Sequence, residues 1–377
     1  MLHTLYYILG TSLMQPLTRA LRLKSLFPDA PAFRLRQAEA ALFTGTTGWG
    51  SVTVFPKAMR DALAREVPWI SVEQVRLLES KDGETYKAVL KTEDGLLFET
   101  VLMGNAKDQW TVCVSSQVGC AMRCVFCATG AMGLKRSLTA DEIVDQLRYW
   151  REFLRRPLTR SLPDGERSSG GAHWDSRISN IVFMGMGEPL ANVESVKSAI
   201  HTWIDCTDIG PTHITVSTVG VLPALEKILT DSDWPSVRIA ISLHSAVQDE
   251  REKIVPSTAP CFIDALAEWC HRYRQVLGNR RHHLTFEYTL IAGVNDGENQ
   301  AEILGRYLEK CGNPKLNVIP LNPVSGKDFS ASQQDRIDRF KAVVLRHGID
   351  VMQRRTMGND IAAACGQLAI GEQAHVV

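Results

Sequence analysis

Three cysteines on one short loop constrain this chain more than anything else in it. Within CVSSQVGCAMRCVFCATG, from Cys113 to Gly130, residues Cys120, Cys124 and Cys127 have the spacing C-x3-C-x2-C. The chain has nine cysteines in 377 residues, so three at those offsets call for a chemical explanation. They are too few for a closed tetrahedral zinc site or a four-cysteine iron-sulfur cluster, and no second C-x2-C pair completes a zinc finger. Three thiolates can hold three irons of a 4Fe-4S cube and leave the fourth open. Cys113 could be a fourth ligand, which would close the cluster and make the chain an electron carrier, although such a carrier does not need this length. Unrelated core cysteines are the remaining alternative.

At 377 residues the chain exceeds one average domain, but a repetitive α/β fold can hold most of that length in one unit. Its 45% apolar content permits a large core, and 42 Lys plus Arg against 42 Asp plus Glu leave no net charge. Any nucleic-acid surface must therefore be a local patch. An odd cysteine count without a secretory signal points to a reducing, cytoplasmic setting. The apolar stretch from Leu2 to Met14 lacks a basic n-region and a cleavage site, and is too short to span a bilayer. It is expected to form a helix packed on the body, with no membrane association.

From Gln15 to Trp69 the pattern is helical: Phe33, Arg36, Ala40 and Leu42 follow Pro31, and Met59, Leu63 and Val67 recur at helical spacing after Pro56. Thr85 to Leu90 and Leu96 to Met103, joined across Asp94 and Gly95, read as a β-hairpin, since Asp-Gly accommodates the positive φ of a tight turn. From Thr111 onward a β-branched strand followed by an amphipathic helix recurs at intervals of about thirty residues, the sequence form of βαβ packing. Strands are expected at 111–115, 179–184, 213–218, 237–243, 284–291 and 315–321, and later helices at 193–206, 223–230, 262–276, 298–310 and 332–347. The first helix opens on Thr139, Ala140, Asp141 and Glu142, a capping box, with Ile143, Leu147 and Trp150 on its buried face. The polar stretch from Pro157 to Asp175 reads as a loop. Parallel strands in this order curl into a partial barrel.

Barrels of this kind bind ligands at the C-terminal ends of their strands. There the chain places Gly187 and Glu188 in Met-Gly-Met-Gly-Glu-Pro, Ser217 after the third strand, Ser242, Leu243 and His244 after the fourth, and Asn322 after the sixth. Glycines let backbone approach a ligand closely, and Glu188 could receive an ammonium group. Each is unspecific alone, since an exposed turn would read the same way; together they occupy one rim. The cysteines Cys206, Cys261, Cys270 and Cys311 match no motif and are assigned to packing.

The three-cysteine spacing, with Phe126 before the last cysteine, resembles the signature of the radical S-adenosylmethionine (SAM) superfamily. MGMGEPLAN at 184–192, VSTVG at 216–220, SLHS at 242–245, GVND at 293–296, LNP at 321–323 and GNDIAAACGQLA at 358–369 narrow the resemblance to the RlmN/Cfr family of radical SAM RNA methyltransferases. It covers about residues 30 to 370, with the motifs in family order. It implies a mixed α/β radical SAM partial (β/α)6 barrel at 111–348, with a helical accessory domain at 1–76, a β-hairpin extension at 77–110 and a C-terminal catalytic segment at 349–377.

The resemblance also implies roles. Cys120, Cys124 and Cys127 would bind the cluster metal, Gly187, Glu188, Ser217, Ser242, Leu243, His244 and Asn322 would contact SAM, and Glu99 would accept a proton. Two SAM molecules would be used per turnover: one methylates Cys365, and the other, cleaved by an electron from the 4Fe-4S cluster, gives a 5′-deoxyadenosyl radical that activates the methyl group. The resulting carbon adds to adenine, and Cys113 would release the covalent adduct by forming a disulfide with Cys365. Implied partners are 23S ribosomal RNA, transfer RNA and a flavodoxin- or ferredoxin-type electron donor. Read from residues alone, Cys365 would be a small buried thiol. For RNA, His271, Arg272, Arg274, Arg280, Arg281, His282 and His283, with Arg354 and Arg355, could track phosphates. Two alternatives stand beside methylation of adenine carbon 2: a Cfr-type enzyme acting at carbon 8 and conferring antibiotic resistance, or a non-catalytic iron-sulfur or RNA-binding protein. Gly-Glu-Pro at 187–189 looks more like the carbon-2 branch, and a non-catalytic protein has no use for both Cys113 and Cys365.

Overall fold

Short helices open the chain: α1 (Arg19–Leu26), α2 (Ala32–Ala41) and α3 (Lys57–Glu66). Thr18 caps the first by accepting from the Leu21 amide, and Pro31 and Pro56 precede the other two, fixing the backbone as it enters each helix. Their apolar faces enclose a small core around Leu23, Ala38, Trp49, Phe55 and Leu63, separate from the main one. The computed structural model describes residues 15–104, 109–155, 177–277 and 284–370. The expectations for Leu2 to Met14, Pro157 to Asp175 and Arg280 to His283 lie outside them.

Three antiparallel strands follow, β1 (Val72–Glu79), β2 (Thr85–Thr92) and β3 (Leu97–Gly104), and β3 pairs antiparallel with β4 (Gln109–Cys113). The expected hairpin is β2–β3, turning at Gly95 with φ +83°. Strand β1 escaped the sequence reading because it is a sheet edge, mostly exposed, with no clean alternation of buried and exposed residues. It crosses the division expected at residue 76, so helical segment, extension and barrel are joined through one sheet. After β4 the chain leaves that sheet: β5 (Gln117–Gly119) and β6 (Leu134–Ser137) pair with each other and flank the one-turn helix α4 (Ala128–Ala131).

Helix α5 (Ala140–Arg155) is followed by the repeat read from the sequence: β7 (Arg177–Phe183), α6 (Val193–Cys206), β8 (Ile214–Thr218), α7 (Leu222–Thr230), β9 (Arg238–Ser242), α8 (Gln248–Ile254) and α9 (Phe262–Leu277). Then come β10 (Leu284–Leu290), α10 (Glu298–Lys310), β11 (Lys315–Pro320), α11 (Gln334–Arg346) and β12 (Val351–Gln353). From β4 each strand pairs in parallel with the next, giving the order β4-β7-β8-β9-β10-β11-β12 of a partial barrel. All six expected strands are present; β12 is an addition, too short to carry a periodic signal. The capping box of α5 forms, with Thr139 N donating to Glu142 Oε2 at 2.8 Å and Glu142 N to Thr139 Oγ1 at 3.2 Å. Among the described residues no helix is long and apolar enough to cross a membrane.

The helical segment docks on α5 through two carboxylates, Asp141, which pairs with Arg19 and accepts its amide, and Asp145, the more connected of the two. Asp145 of α5 takes a forked pair of bonds from Arg19 of α1, at 2.7 and 3.0 Å, and a third from Arg148 at 2.6 Å. It also accepts from Ser71 N and Oγ, at 2.6 and 2.7 Å, while Arg148 continues to the Trp69 and Leu42 carbonyls. Burial alone would push the Asp145 carboxyl up, but the charges of Arg19 and Arg148 outweigh it and hold the group far below the usual carboxylate range. A depressed carboxyl contributes stability that is complete above its unfolded value, about 4, and is lost as the pH falls. Asp145→Ala strands two buried guanidinium groups and should lower stability by about 3–5 kcal/mol at neutral pH. Urea denaturation measures this, and the gap between variant and parent should narrow below about pH 4; equal midpoints at pH 7 would contradict the docking role.

Candidate active site

The three-cysteine loop is shaped by backbone contacts before any side chain is considered. Gly119 has φ +79°, and a Cβ there would lie 1.8 Å from the Gly133 carbonyl, so only glycine lets β5 and β6 approach this closely. The Cys120 amide bonds that same carbonyl at 3.0 Å. Further along, Val125 N donates to Ile254 O at the end of α8 (3.0 Å), Ala128 N to Gly366 O (2.8 Å), and Thr129 Oγ1 to Leu368 O (2.5 Å). The loop is thus clamped between α8 and the C-terminal segment.

This clamp brings the three thiols into mutual electrostatic reach. Burial, the neighbouring Cys127 and the carboxylate of Glu188 push the Cys120 thiol up to about 12, and burial followed by the charges of Cys127 and Cys120 drives Cys124 well above its ordinary value. Thiols that resist ionisation alone and repel each other when ionised suit a bound cationic centre, which reverses both effects. Among the described residues no three His, Cys, Asp or Glu side chains are arranged to hold a single metal ion. Three cysteines whose charges act on one another, on one clamped loop, are a donor set that fits an iron-sulfur cluster.

The rim residues converge on the same place. Gly187 has φ +100°, and a Cβ there would sit 2.5 Å from Gln117 Cβ. Glu188 is buried, accepting from Leu190 N and Val219 N at 2.9 Å each, and burial raises its carboxyl against the pull of these donors and Thr218. Ser217 Oγ lies 3.3 Å from Ser242 Oγ. Leu243 is fully buried and holds the rim through its amide on Glu287 O at 2.9 Å. His244 adopts a left-handed backbone, φ 61°, a strained position for a non-glycine residue. Its Nδ1 accepts from Thr289 N at 3.1 Å, which leaves the ring proton on Nε2, and its ring packs edge-on against Phe126 at 4.9 Å. Burial and the charge of Arg251 lower it to about 3, so it is a neutral group at working pH. Asn322 donates to Cys365 O at 3.0 Å and accepts from Thr356 at 3.1 Å, linking the rim to the C-terminal segment.

Cys113 ends β4, buried, with Val101 and Val182 as strand partners. Cys365 is exposed to solvent rather than buried as its residue type alone suggested, because the segment from Gly358 to Leu368 lies over the mouth. Protein crowding nonetheless pushes its thiol up, Arg354 opposes this, and Glu287 and Cys127 add to it. Burial also raises Cys113, and the charge of Cys365 acts in the same direction, so the two thiols are within electrostatic reach of each other. The disulfide implied between them is not formed; both are free thiols, Cys113 at the end of β4 and Cys365 on the C-terminal segment. Glu99 of β3 stands beside the segment: Lys87 pairs with its Oε1 at 3.1 Å and bonds Ala362 O at 3.0 Å, while Oε2 has no hydrogen-bond partner. Burial raises the Glu99 carboxyl against the Lys87 charge.

Other site residues were invisible in the sequence. Arg354 does not reach outward to track phosphates: it donates to Glu287 Oε1 at 3.0 Å and to Met184 Sδ at 3.2 Å. Glu287 also accepts from Asn317 at 2.8 Å, and its Oε2 has no partner. Arg272, in the other basic group, pairs with Glu226. Lys87, Arg251 and Glu287 sit among ordinary charges and polar strand residues, and only strand parity hinted that Glu287 faces inward. Cys270 and Cys311 are buried as expected and Cys206 is half-buried, but Cys261 is exposed, at φ 56°, so packing does not explain it.

No family model matches the chain. A relative from Moorella thermoacetica described as a probable dual-specificity RNA methyltransferase RlmN is 40% identical over 317 residues, 83% of this chain and 84% of its own length. Another so described, from Bifidobacterium longum, is 38% identical over 351 residues, 91% and 85% of the two chains. The crystal structure of a radical SAM methyltransferase from Sphaerobacter thermophilus aligns with a TM-score of 0.78 at 37% identity, over 93% of this chain and 97% of that one. With this identity sustained across nearly the whole sheet and its site, the chain belongs to the RlmN family of radical SAM RNA methyltransferases.

Proposed function

We propose that this chain methylates carbon 2 of adenine in 23S ribosomal RNA and in transfer RNA, in a cytoplasmic setting where its thiols stay reduced. The observation that carries the reading is the pairing of a buried strand-end thiol, Cys113, with an exposed thiol, Cys365, on a segment bonded to the three-cysteine loop. An electron carrier or a passive RNA binder has no use for that pairing. The relatives described as RlmN favour carbon 2 over carbon 8.

In this reading Cys120, Cys124 and Cys127 hold the 4Fe-4S cluster, and Gly187, Glu188, Ser217, Ser242, Leu243, His244 and Asn322 hold SAM. Bound there, the two groups supply one-electron cleavage of SAM and, from a separate SAM, a methyl group; the electron comes from a flavodoxin- or ferredoxin-type donor. Glu188, kept in place by two backbone amides, orients an ammonium group, and neutral His244 offers an N–H without adding charge. The Cys365 sulfur carries the carbon that is delivered to the base. Glu99 accepts the ring proton through its free Oε2. Cys113 then closes on the Cys365 sulfur: an S–S bond forms, the S–C bond breaks, and its electron pair stays on carbon, which takes a proton to become the product methyl group. Both thiols must return to the reduced state before the next cycle.

Mass spectrometry of nucleosides from 23S rRNA and tRNA treated with reconstituted protein tests the assignment; 2-methyladenosine is expected, and 8-methyladenosine instead would move the chain to the other branch. After anaerobic reconstitution, Cys124→Ala should lose its iron and brown colour while Cys113→Ala keeps them, and iron lost from Cys113→Ala would revive the closed electron carrier. The thiol roles separate by where each variant stalls. Cys365→Ala should form no RNA adduct, whereas Cys113→Ala should accumulate a covalent protein–RNA species that survives denaturation and is absent from the double variant. Clean migration of Cys113→Ala on a denaturing gel, with turnover at the parent rate, would remove Cys113 from the reaction.

A further inference from the structure

Arg251 is a buried cation that bonds no anion among the described residues. It lies on α8 at 0% exposure. Its Nε donates to Leu243 O at 3.0 Å, Nη1 to Thr258 Oγ1 at 2.6 Å, and Nη2 to Val219 O at 2.5 Å and Ser242 O at 3.3 Å. Every one of these acceptors is neutral. The remaining face of the guanidinium stacks on Phe262, 3.7 Å from the ring centroid. A buried ion carries a steep desolvation cost, and its retention calls for an opposite charge nearby or a task that needs the charge.

The surroundings identify that opposite charge. One turn beyond Arg251, the Ile254 carbonyl receives the Val125 amide of the cysteine loop. Cys124 and Val219 pack against the same small apolar group as Ile254 and Val255, and Val219 is the residue whose carbonyl Arg251 holds. The guanidinium therefore stands behind Cys124. The groups that act on its charge are Cys124 first, then Tyr307 and Glu188, and Tyr307 stays neutral because burial raises its hydroxyl. His244 is also neutral.

We propose that Arg251 is the buried counter-charge of the iron-sulfur cluster held by Cys120, Cys124 and Cys127, and that its positive charge raises the cluster's reduction potential. The proposal rests on the cluster reading of the preceding subsection and adds a residue to it. Reduction adds one electron, and so one negative charge, to the cluster and its thiolates, with no bond made or broken. A fixed cation in a water-poor site stabilises that added charge, and net charge and solvent exposure are the levers that set such potentials. Arg251 acts through Cys124 rather than on substrate, so it is a positioning residue. The competing role is mechanical: a strut that ties the ends of β8 and β9 to α8 through the same carbonyls.

The test is a dithionite titration of the anaerobically reconstituted full-length protein without SAM, with the reduced cluster read by electron paramagnetic resonance. Arg251→Gln removes the charge and keeps an amide donor; Arg251→Lys keeps the charge and loses the fork. At a fixed potential near the midpoint, the reduced-to-oxidised ratio of Arg251→Gln should fall at least tenfold, about 59 mV for a one-electron couple. Arg251→Lys should stay within about threefold of the parent, which is half of that shift. If Arg251→Gln folds but loads no iron, restored loading in Arg251→Lys supports the counter-charge, and no iron in either variant assigns Arg251 to the strut alone. An unfolded Gln variant by circular dichroism, or two loaded variants with the parent midpoint, overturns the proposal and leaves the cluster reading intact. Parent protein that loads no iron overturns both.

Discussion

The site depends on holding three thiols together, two of which burial keeps from ionising readily. Burial and mutual repulsion raise Cys120 and Cys124, so nothing in the side-chain chemistry favours gathering them until a cationic centre joins them. The backbone must therefore impose the geometry. It does so with Gly119 against the Gly133 carbonyl, where no side chain fits, with Gly130 packed tightly on the Cys124 backbone, and with three hydrogen bonds that fasten the loop to Ile254, Gly366 and Leu368. The β5–β6 pair exists to hold the ends of this loop at a fixed spacing.

The same contacts couple chemistry to the end of the chain. Gly366 and Leu368 bond the cysteine loop, Asn322 bonds the Cys365 carbonyl, and Lys87 bridges Glu99 to Ala362. Cys365 is thus presented by a segment with anchors on the loop, on the rim after β11 and on β2. Displacing the segment would disturb all three together. An exposed thiol on an anchored segment can be reached by a large substrate without being free to wander, whereas Cys113, sealed at the end of β4, can meet only what is brought to it.

Much of this was legible in the sequence because it rests on local rules. Spacing marks the cysteine loop, strand–helix alternation marks the parallel sheet, and Thr139 with Glu142 marks the start of α5. What escaped has physical reasons. Strand β1 lies at a sheet edge, and β5, β6 and β12 are three or four residues long, below the length at which a period of two can be recognised. Lys87, Glu287 and Arg251 are charges drawn inward by tertiary partners, and a charged residue in a sequence reads as solvated until its partner is known. The C-terminal glycine-flanked Cys365 is the opposite case: its residue type argued for burial, and only the motif around it argued for chemistry.

Arg354 shows how such a misreading alters the picture of the RNA surface. Two adjacent arginines suggested a phosphate track, but they diverge: Arg354 turns inward to Glu287 and Met184, while Arg355 is exposed and meets Glu84. Several of the chain's cations are paired within the protein, with Asp145, Glu99, Glu142 and Glu287. Where a cation is spent internally, it no longer contributes to the long-range field that draws a polyanion. Lys87 and Arg354 stand beside the segment that carries Cys365, and there a cation drawn out of water has far more effect than one at the surface.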